Sequence, residues 1–260
     1  MKHPYLLLII FILCIFTISA KGNDKQEYYE IKLYHISTPE QENRLDDYIK
    51  NSYIPALHKA GIKNIGVFKP IETDSLNFGK LIYVFTPFKS VEQYLKLASI
   101  INADPEYQKN ASDYINASYE NSPYDRIETT FLKAFKNMPI MNVPKLNSKK
   151  SEHIYELRSY ESATESLLDR KIHMFNEGGE IPLFDSLNFN AVFYAKVLVG
   201  NKMPNLMYMT SFDNMVERDE HWKSFFSSKK WEELKANNYY NNSVSKANIF
   251  LLSATSYSDI

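Results

Sequence analysis

In two places the chain sets a carboxylate, a cation and a phenol at alternate positions: Glu30, Lys32 and Tyr34 within YEIKLY, and Glu156, Arg158 and Tyr160 within YELRSY. On a strand, successive side chains point to opposite faces, so each trio shares one face. Tyr29, Ile31 and Leu33, or Tyr155, Leu157 and Ser159, share the other. If the more apolar set packs against helices, the polar set faces a space on the far side of the sheet. There a guanidinium supplies planar donors and a phenol a hydroxyl, which is the chemistry that holds an anionic or phenolic ligand. The plainer alternative is that Glu156 and Arg158 pair with neighbours on a wetted sheet face. Arg218 and His221, on a later helical stretch, complete the candidate ligand-binding set of Glu156, Arg158, Tyr160, Arg218, His221, Lys32 and Tyr34. A histidine there could serve as a base.

No catalytic residue can be assigned beyond this. His35, His58, His153, His173 and His221 fall in no metal-ligand spacing, and no serine-hydrolase elbow, phosphate-binding loop or dinucleotide fingerprint is present. The sequence therefore predicts neither metal nor cofactor. With 30 Lys+Arg against 31 Asp+Glu, the balanced charge argues against a nucleic-acid partner. Residues 1–20 have a short basic start, an apolar run from Leu6 to Ile18 and a small pair, Ser19-Ala20. This is the pattern of a cleaved secretory leader, with an uncleaved membrane anchor as the alternative. Cleavage would remove Cys14, the single cysteine, and with it any thiol chemistry.

The elements that position the trios come from an internal repeat. YEIKLY and YELRSY lie 126 residues apart, Ile54-Pro55 matches Ile181-Pro182, and LIYVFTPFKSVE (81–92) matches LMYMTSFDNMVE (206–217). Each copy reads β-α-β-β-α-β. The predicted strands are 28–36, 64–71, 80–86 and 126–135 in copy one, then 153–160, 190–199, 204–211 and 246–255 in copy two. Thr38-Pro39-Glu40-Gln41 and Ser90-Val91-Glu92-Gln93 are capping boxes that open the helices of copy one. Gly61 ends the first of these helices, and a break is expected near Asp104-Pro105 in the second. In copy two the helices are expected at 164–177 and 213–236, the latter broken near Ser227-Ser228, with Gly178-Gly179 ending the first. Trp222, Phe225, Phe226 and Trp231 read mainly as core packing.

The predicted fold is α+β: two tandem ferredoxin-like domains whose sheets pack face to face as a pseudo-dimeric α/β barrel. Domain 1 spans 27–136 and domain 2 spans 152–256, with 137–151 as linker. Further self-association is left open.

The second copy resembles the NIPSNAP family. It opens with Tyr155-Glu156-Leu157-Arg158-Ser159-Tyr160, carries Ile181-Pro182 after a helix, and continues to Glu217-Arg218, His221-Trp222 and Trp231. Copy one departs from the pattern, with Lys32 for Arg158, Gln93 for Arg218 and Tyr107 for Trp231. The resemblance therefore implies that copy two dominates any ligand site and that copy one is its structural partner. It also implies membership of a barrel superfamily that includes small monooxygenases and haem-handling enzymes. The expected function is an exported small-ligand-binding or accessory protein. The alternative is a cofactor-poor enzyme, monooxygenase- or isomerase-like, acting on a small aromatic or haem-like ligand.

Overall fold

The computed structural model describes residues 26–260. The predicted leader and Cys14 lie outside the described residues. Eight strands, β1 (Tyr28–His35), β2 (Gly66–Pro70), β3 (Leu81–Phe88), β4 (Arg126–Ala134), β5 (Ile154–Glu161), β6 (Ala191–Val199), β7 (Asn205–Phe212) and β8 (Lys246–Ala254), form one closed antiparallel barrel in the order β1-β3-β2-β8-β5-β7-β6-β4. Each copy supplies a four-stranded sheet, β4-β1-β3-β2 or β8-β5-β7-β6. The edge strand β2 pairs with β8, and β6 pairs with β4. The two sheets thus face each other as the repeat predicts, and their joined edges leave no strand unpaired along the ring.

Barrel closure buries both faces of most strands, which accounts for the composition of the central pair. LIYVFTPF in β3 and NLMYMTSF in β7 are buried at every position, one face against the barrel interior and the other against helices. The interior is filled rather than hollow. The rings of Tyr29, Phe85 and Phe193 meet with centroids 5.0–5.3 Å apart. Tyr155, Leu157 and Leu252 pack in the same core.

Outside the barrel, copy one carries α1 (Pro39–Tyr48), α2 (Ile54–Lys59), α3 (Val91–Asn102), α4 (Pro105–Asn110) and α5 (Ser112–Ile115). Copy two carries α6 (Glu165–Asn176), α7 (Glu180–Ser186), α8 (Met215–Phe226) and α9 (Lys229–Ala236). The capping boxes form as their residue types require. Thr38 Oγ1 accepts from the Gln41 N–H and Ser90 Oγ from the Gln93 N–H, each at 3.2 Å. Gly61 takes φ +79°, the left-handed conformation that ends α2.

Two features depart from the sequence reading. The helix expected to run unbroken to Gly61 contains a π-helical stretch, Ile49–Tyr53, between α1 and α2. Beyond Gly178-Gly179 a further helix, α7, takes Ile181 and Pro182 into its first turn, and Gly179 with φ +96° starts it. A short helix flanked by glycines and holding a proline gives no periodic signal, and a π-turn has no sequence period of its own.

The segment 137–151 has no strand, but it is fastened to the barrel. Met141 is buried in the interior core, its N–H donates to Glu27 at 2.8 Å, and the Asn142 N–H donates to the Val192 carbonyl at 2.9 Å.

Candidate functional site

The predicted polar face is turned the other way. Tyr155 and Leu157 point into the barrel, whereas Glu156, Arg158 and Tyr160 lie between the sheet and the helices of copy two, as Glu30, Lys32 and Tyr34 do in copy one. The expected inter-sheet location of all seven candidates is therefore corrected. An eight-stranded barrel is just wide enough for side chains to fill, and ions enclosed there would have no partners. The helix layer can bring donors to them.

In copy two those donors converge on the carboxylate. Glu156 is fully buried and accepts from the Arg158 Nε, from the Arg218 Nε at 2.6 Å and from the Trp222 indole Nε1 at 2.9 Å. Arg158 also donates to the Tyr160 hydroxyl at 2.9 Å, which meets the Tyr208 hydroxyl at 2.9 Å. The Arg158 guanidinium stacks 3.6 Å from the Trp222 ring centre, a cation–π contact that fills the remaining space. Behind it a buried pair, Lys171 and Glu180, closes at 2.7 Å. Burial pushes the Glu180 carboxyl up even beside that lysine. His221 does not join the cluster. It packs on Phe189 and Phe212, lies 3.7 Å from Glu217, and leaves its Nδ1 unpartnered. The arrangement is an ion network closed around the Glu156 carboxylate; beside it the Thr210 hydroxyl, opposite Glu156 on β7, is buried and unpartnered.

Copy one has the same backbone plan and a different outcome. Glu30 is 3% exposed, and its carboxylate has one charged neighbour, Lys32, at 3.6 Å. Lys32 donates instead to the Tyr53 hydroxyl at 2.9 Å. Tyr53 is brought there by the π-helical stretch that ends on it. The hydroxyls of Thr86, opposite Glu30 on β3, and of Ser52 are buried and unpartnered.

Glu30, Lys32 and Tyr53 border a pocket of about 290 Å³ walled by Tyr94, Leu95, Leu97, Ala98 and Ile101 of α3. The repeat explains why it is open. At the offset of 125 that relates 81–92 to 206–217, Leu97 stands where copy two has Trp222, and Gln93 where it has Arg218. A leucine cannot fill the volume of an indole, and a glutamine in that place brings no charge to the carboxylate. The sequence expectation that copy two carries the cavity is therefore reversed. The substitutions read as losses from the motif are what create the vacancy.

Of the seven predicted residues, Lys32 borders the pocket. Tyr34 sits deeper, buried with its ring edge-on to Tyr124 at 5.7 Å. The candidate set drawn from the sequence does not include Glu30, Tyr53, Tyr94 or Leu97, which also line the pocket. Glu30 was legible as the repeat mate of Glu156, and Leu97 as that of Trp222. Tyr53 was not legible, because only the π-turn places it.

Burial raises the Glu30 carboxyl above the ordinary range, and the nearby Lys32 only partly opposes this. A raised carboxyl is best accommodated neutral, so the folded state is favoured below the usual carboxylate pKa. That advantage is lost as pH rises through the folded-state value. Glu30→Gln is accordingly expected to unfold at higher urea than the parent at pH 8 and at the same urea at pH 4. Equal midpoints at both pH values would show that the carboxyl is not held in a desolvated site.

Among the described residues, no group of His, Cys, Asp and Glu is arranged to hold a metal ion. No described helix is long and apolar enough to cross a membrane.

Comparison with known proteins places the chain in context. No curated protein matches its sequence. Among solved structures, it is similar to a Lactobacillus acidophilus NCFM protein for which a monooxygenase function has been proposed. That likeness has a TM-score of 0.56 and 11% identity, and covers 88% of this chain and 94% of the other. It is also similar to a Fusobacterium nucleatum subsp. nucleatum ATCC 25586 protein with the same proposed function (TM-score 0.55, 6% identity, 88% and 92% covered). A third is an anthrone oxidase-like protein (TM-score 0.51, 9% identity, 88% and 92% covered). At these identities the likeness establishes the α+β barrel and nothing of its chemistry. The sequence itself matches the NIPSNAP family over residues 155–259, where the YELRSY strand, Arg218 and Trp222 build the closed network around Glu156. Residues 155–259 of this chain thus match the NIPSNAP family model.

Proposed function

We propose that the protein binds a small aromatic molecule bearing an acidic hydroxyl, in the pocket of copy one. The observation that carries this reading is the buried Glu30 carboxylate, with Lys32 as its one charged neighbour, facing a vacant space walled by Tyr94 and leucines. A phenol would lay its ring against that wall. Its hydroxyl would donate a hydrogen bond to the Glu30 carboxylate, whose raised pKa makes it the stronger acceptor, and the Lys32 ammonium would donate to the phenol oxygen. The pocket volume of about 290 Å³ suits one to three fused rings. Titration with 1-naphthol, followed by the quenching of its fluorescence, tests the reading. Saturable binding that is lost when Leu97 is enlarged supports it, and naphthol binding indifferent to Leu97 overturns it.

The base–lysine pair also favours a second, enzymatic reading. With dioxygen as oxidant, a deprotonated anthrone-type substrate would have its methylene converted to a carbonyl, one oxygen atom entering the product and the other leaving as water. Oxygen uptake with anthrone, present in the parent and absent in Glu30→Gln, would carry the pocket from binder to enzyme. Export, through the leader at 1–20, belongs to the same proposal, and a mature protein beginning at Lys21 is the mass it predicts.

A further inference from the structure

We propose that the open end of the barrel is a second binding site, for a short primary alkylammonium ion. One end of the interior is sealed by Tyr29, Phe85 and Phe193, with Met141 and Ile260 in the same core. At the other end, side chains leave a cavity of about 70 Å³. Its floor is apolar, with Ile31, Val197, Met207 and Phe250, and its rim is polar, with Glu128, Ser159, Asn201, Lys202 and Asn205. It is separated from the pocket of copy one by the wall of the barrel itself.

Two buried polar atoms at this cavity have no partner. The Tyr83 hydroxyl belongs to a side chain that is 4% exposed, and the Asn205 Oδ1 to one that is 2% exposed. Asn205 is oriented by its own amide, whose Nδ2 donates to Ser159 Oγ at 2.8 Å and leaves the Oδ1 as a fixed acceptor. Buried polar atoms ordinarily find partners, so a pair left without any beside a vacant space marks where a donor should sit. Glu128 supplies the charge. Its carboxylate is held by His35 at 2.8 Å and by the Asn201 amide at 2.6 Å, and both leave it on the rim. Burial raises the Tyr83 phenol, and the negative charges of Asp74 and Glu128 raise it further, so the rim lies in a negative potential. The opposing cation, Lys202, lines the rim from an exposed position, where solvent screens its charge. An ammonium has three donors to offer Asn205, Tyr83 and Glu128, and its alkyl tail would cover the floor. The cavity is about half the size of one that admits benzene, which limits the tail to a few carbons.

The probe is ethylammonium chloride on the full protein, read by saturation-transfer NMR. A ligand of three non-hydrogen atoms binds at best at about 1 mM. Saturable binding on the millimolar scale is expected, with no response to sodium acetate. Lys202→Glu, an exposed change that leaves the barrel core untouched, should tighten it at least about 3-fold by removing the competing charge. Asn205→Leu should weaken it about 10-fold. Leu97→Trp, which fills the other pocket, should leave it unchanged, so failure here is distinct from failure of the aromatic-ligand reading. No saturation by 100 mM, an equal response to acetate, or a Lys202→Glu variant that binds no tighter would each overturn the site and leave ordered water as its occupant.

Discussion

Glu156→Ala is expected to lower the free energy of unfolding by about 3–5 kcal/mol, the largest loss of any single substitution considered for this chain. The carboxylate is fully buried and is the shared acceptor of two guanidiniums and an indole. Its removal leaves Arg158, 6% exposed, with the Tyr160 hydroxyl as its remaining partner, and strands the Trp222 N–H. An uncompensated buried cation costs far more than the lost attraction, because the desolvation penalty of the pair remains after the pairing has gone. For a domain of this size the melting temperature should fall by about 10 °C. Glu156→Gln keeps the shape and part of the acceptor capacity, so it should lose less than the alanine variant. Removing the half-exposed partner of Lys69, by Glu42→Ala, should cost under about 1 kcal/mol, as a solvated pair does. Urea unfolding of the three variants decides the matter. A Glu156→Ala loss below about 1 kcal/mol would mean that the network is relaxed by water and holds nothing together.

Leu97→Trp should abolish 1-naphthol binding, by 100-fold or more in affinity, with little change in stability. The argument is the comparison of the two copies. An indole at the equivalent place in copy two lies flat over the guanidinium at 3.6 Å and closes the space beside the carboxylate. A tryptophan at 97 would lie over Lys32 in the same manner and take the volume the ligand needs. The space already exists, so the added ring fills a cavity rather than overpacking a core. A 100-fold loss amounts to about 2.7 kcal/mol of binding, modest beside the apolar contact an aromatic ligand would forfeit. Trp222→Leu is the complement. It should open a pocket in copy two without creating naphthol affinity there, because Glu156 would still be held by Arg158 and Arg218. Undiminished affinity in Leu97→Trp would remove the pocket from consideration.

Much of this architecture can be read from local chemistry. Thr38 and Ser90 cap their helices because a side-chain oxygen three residues before a glutamine satisfies an otherwise orphaned N–H, and no distant residue is needed for that. The break at Asp104-Pro105 follows from a proline that cannot continue a helix, and the structure caps α4 with Asp104. The repeat is legible for the same reason. Two copies with the same order of elements meet the same packing demands, so their apolar patterns coincide even where the residues differ. The seven candidate site residues were harder. Alternation states which side chains share a face, but not which face is inside. Glu156, Arg158 and Tyr160 are correctly grouped by spacing and wrongly aimed by an assumption about helices.

By itself, then, the sequence determined the two-copy plan, the order of the strands and main helices, the helix caps and the grouping of Glu30 with Lys32 and of Glu156 with Arg158. All of these depend on neighbours within a few residues or on a fixed offset between copies. Closure of the barrel decided the rest. It enclosed Tyr155 and Leu157 because the interior is filled by side chains over most of its length, and it turned the charged trios toward the helices. There the tertiary contacts of one position, Leu97 against Trp222, made one trio a vacant pocket and the other a sealed network. That difference depends on which side chain from a distant helix reaches the strand, and no periodicity along the chain encodes such a meeting.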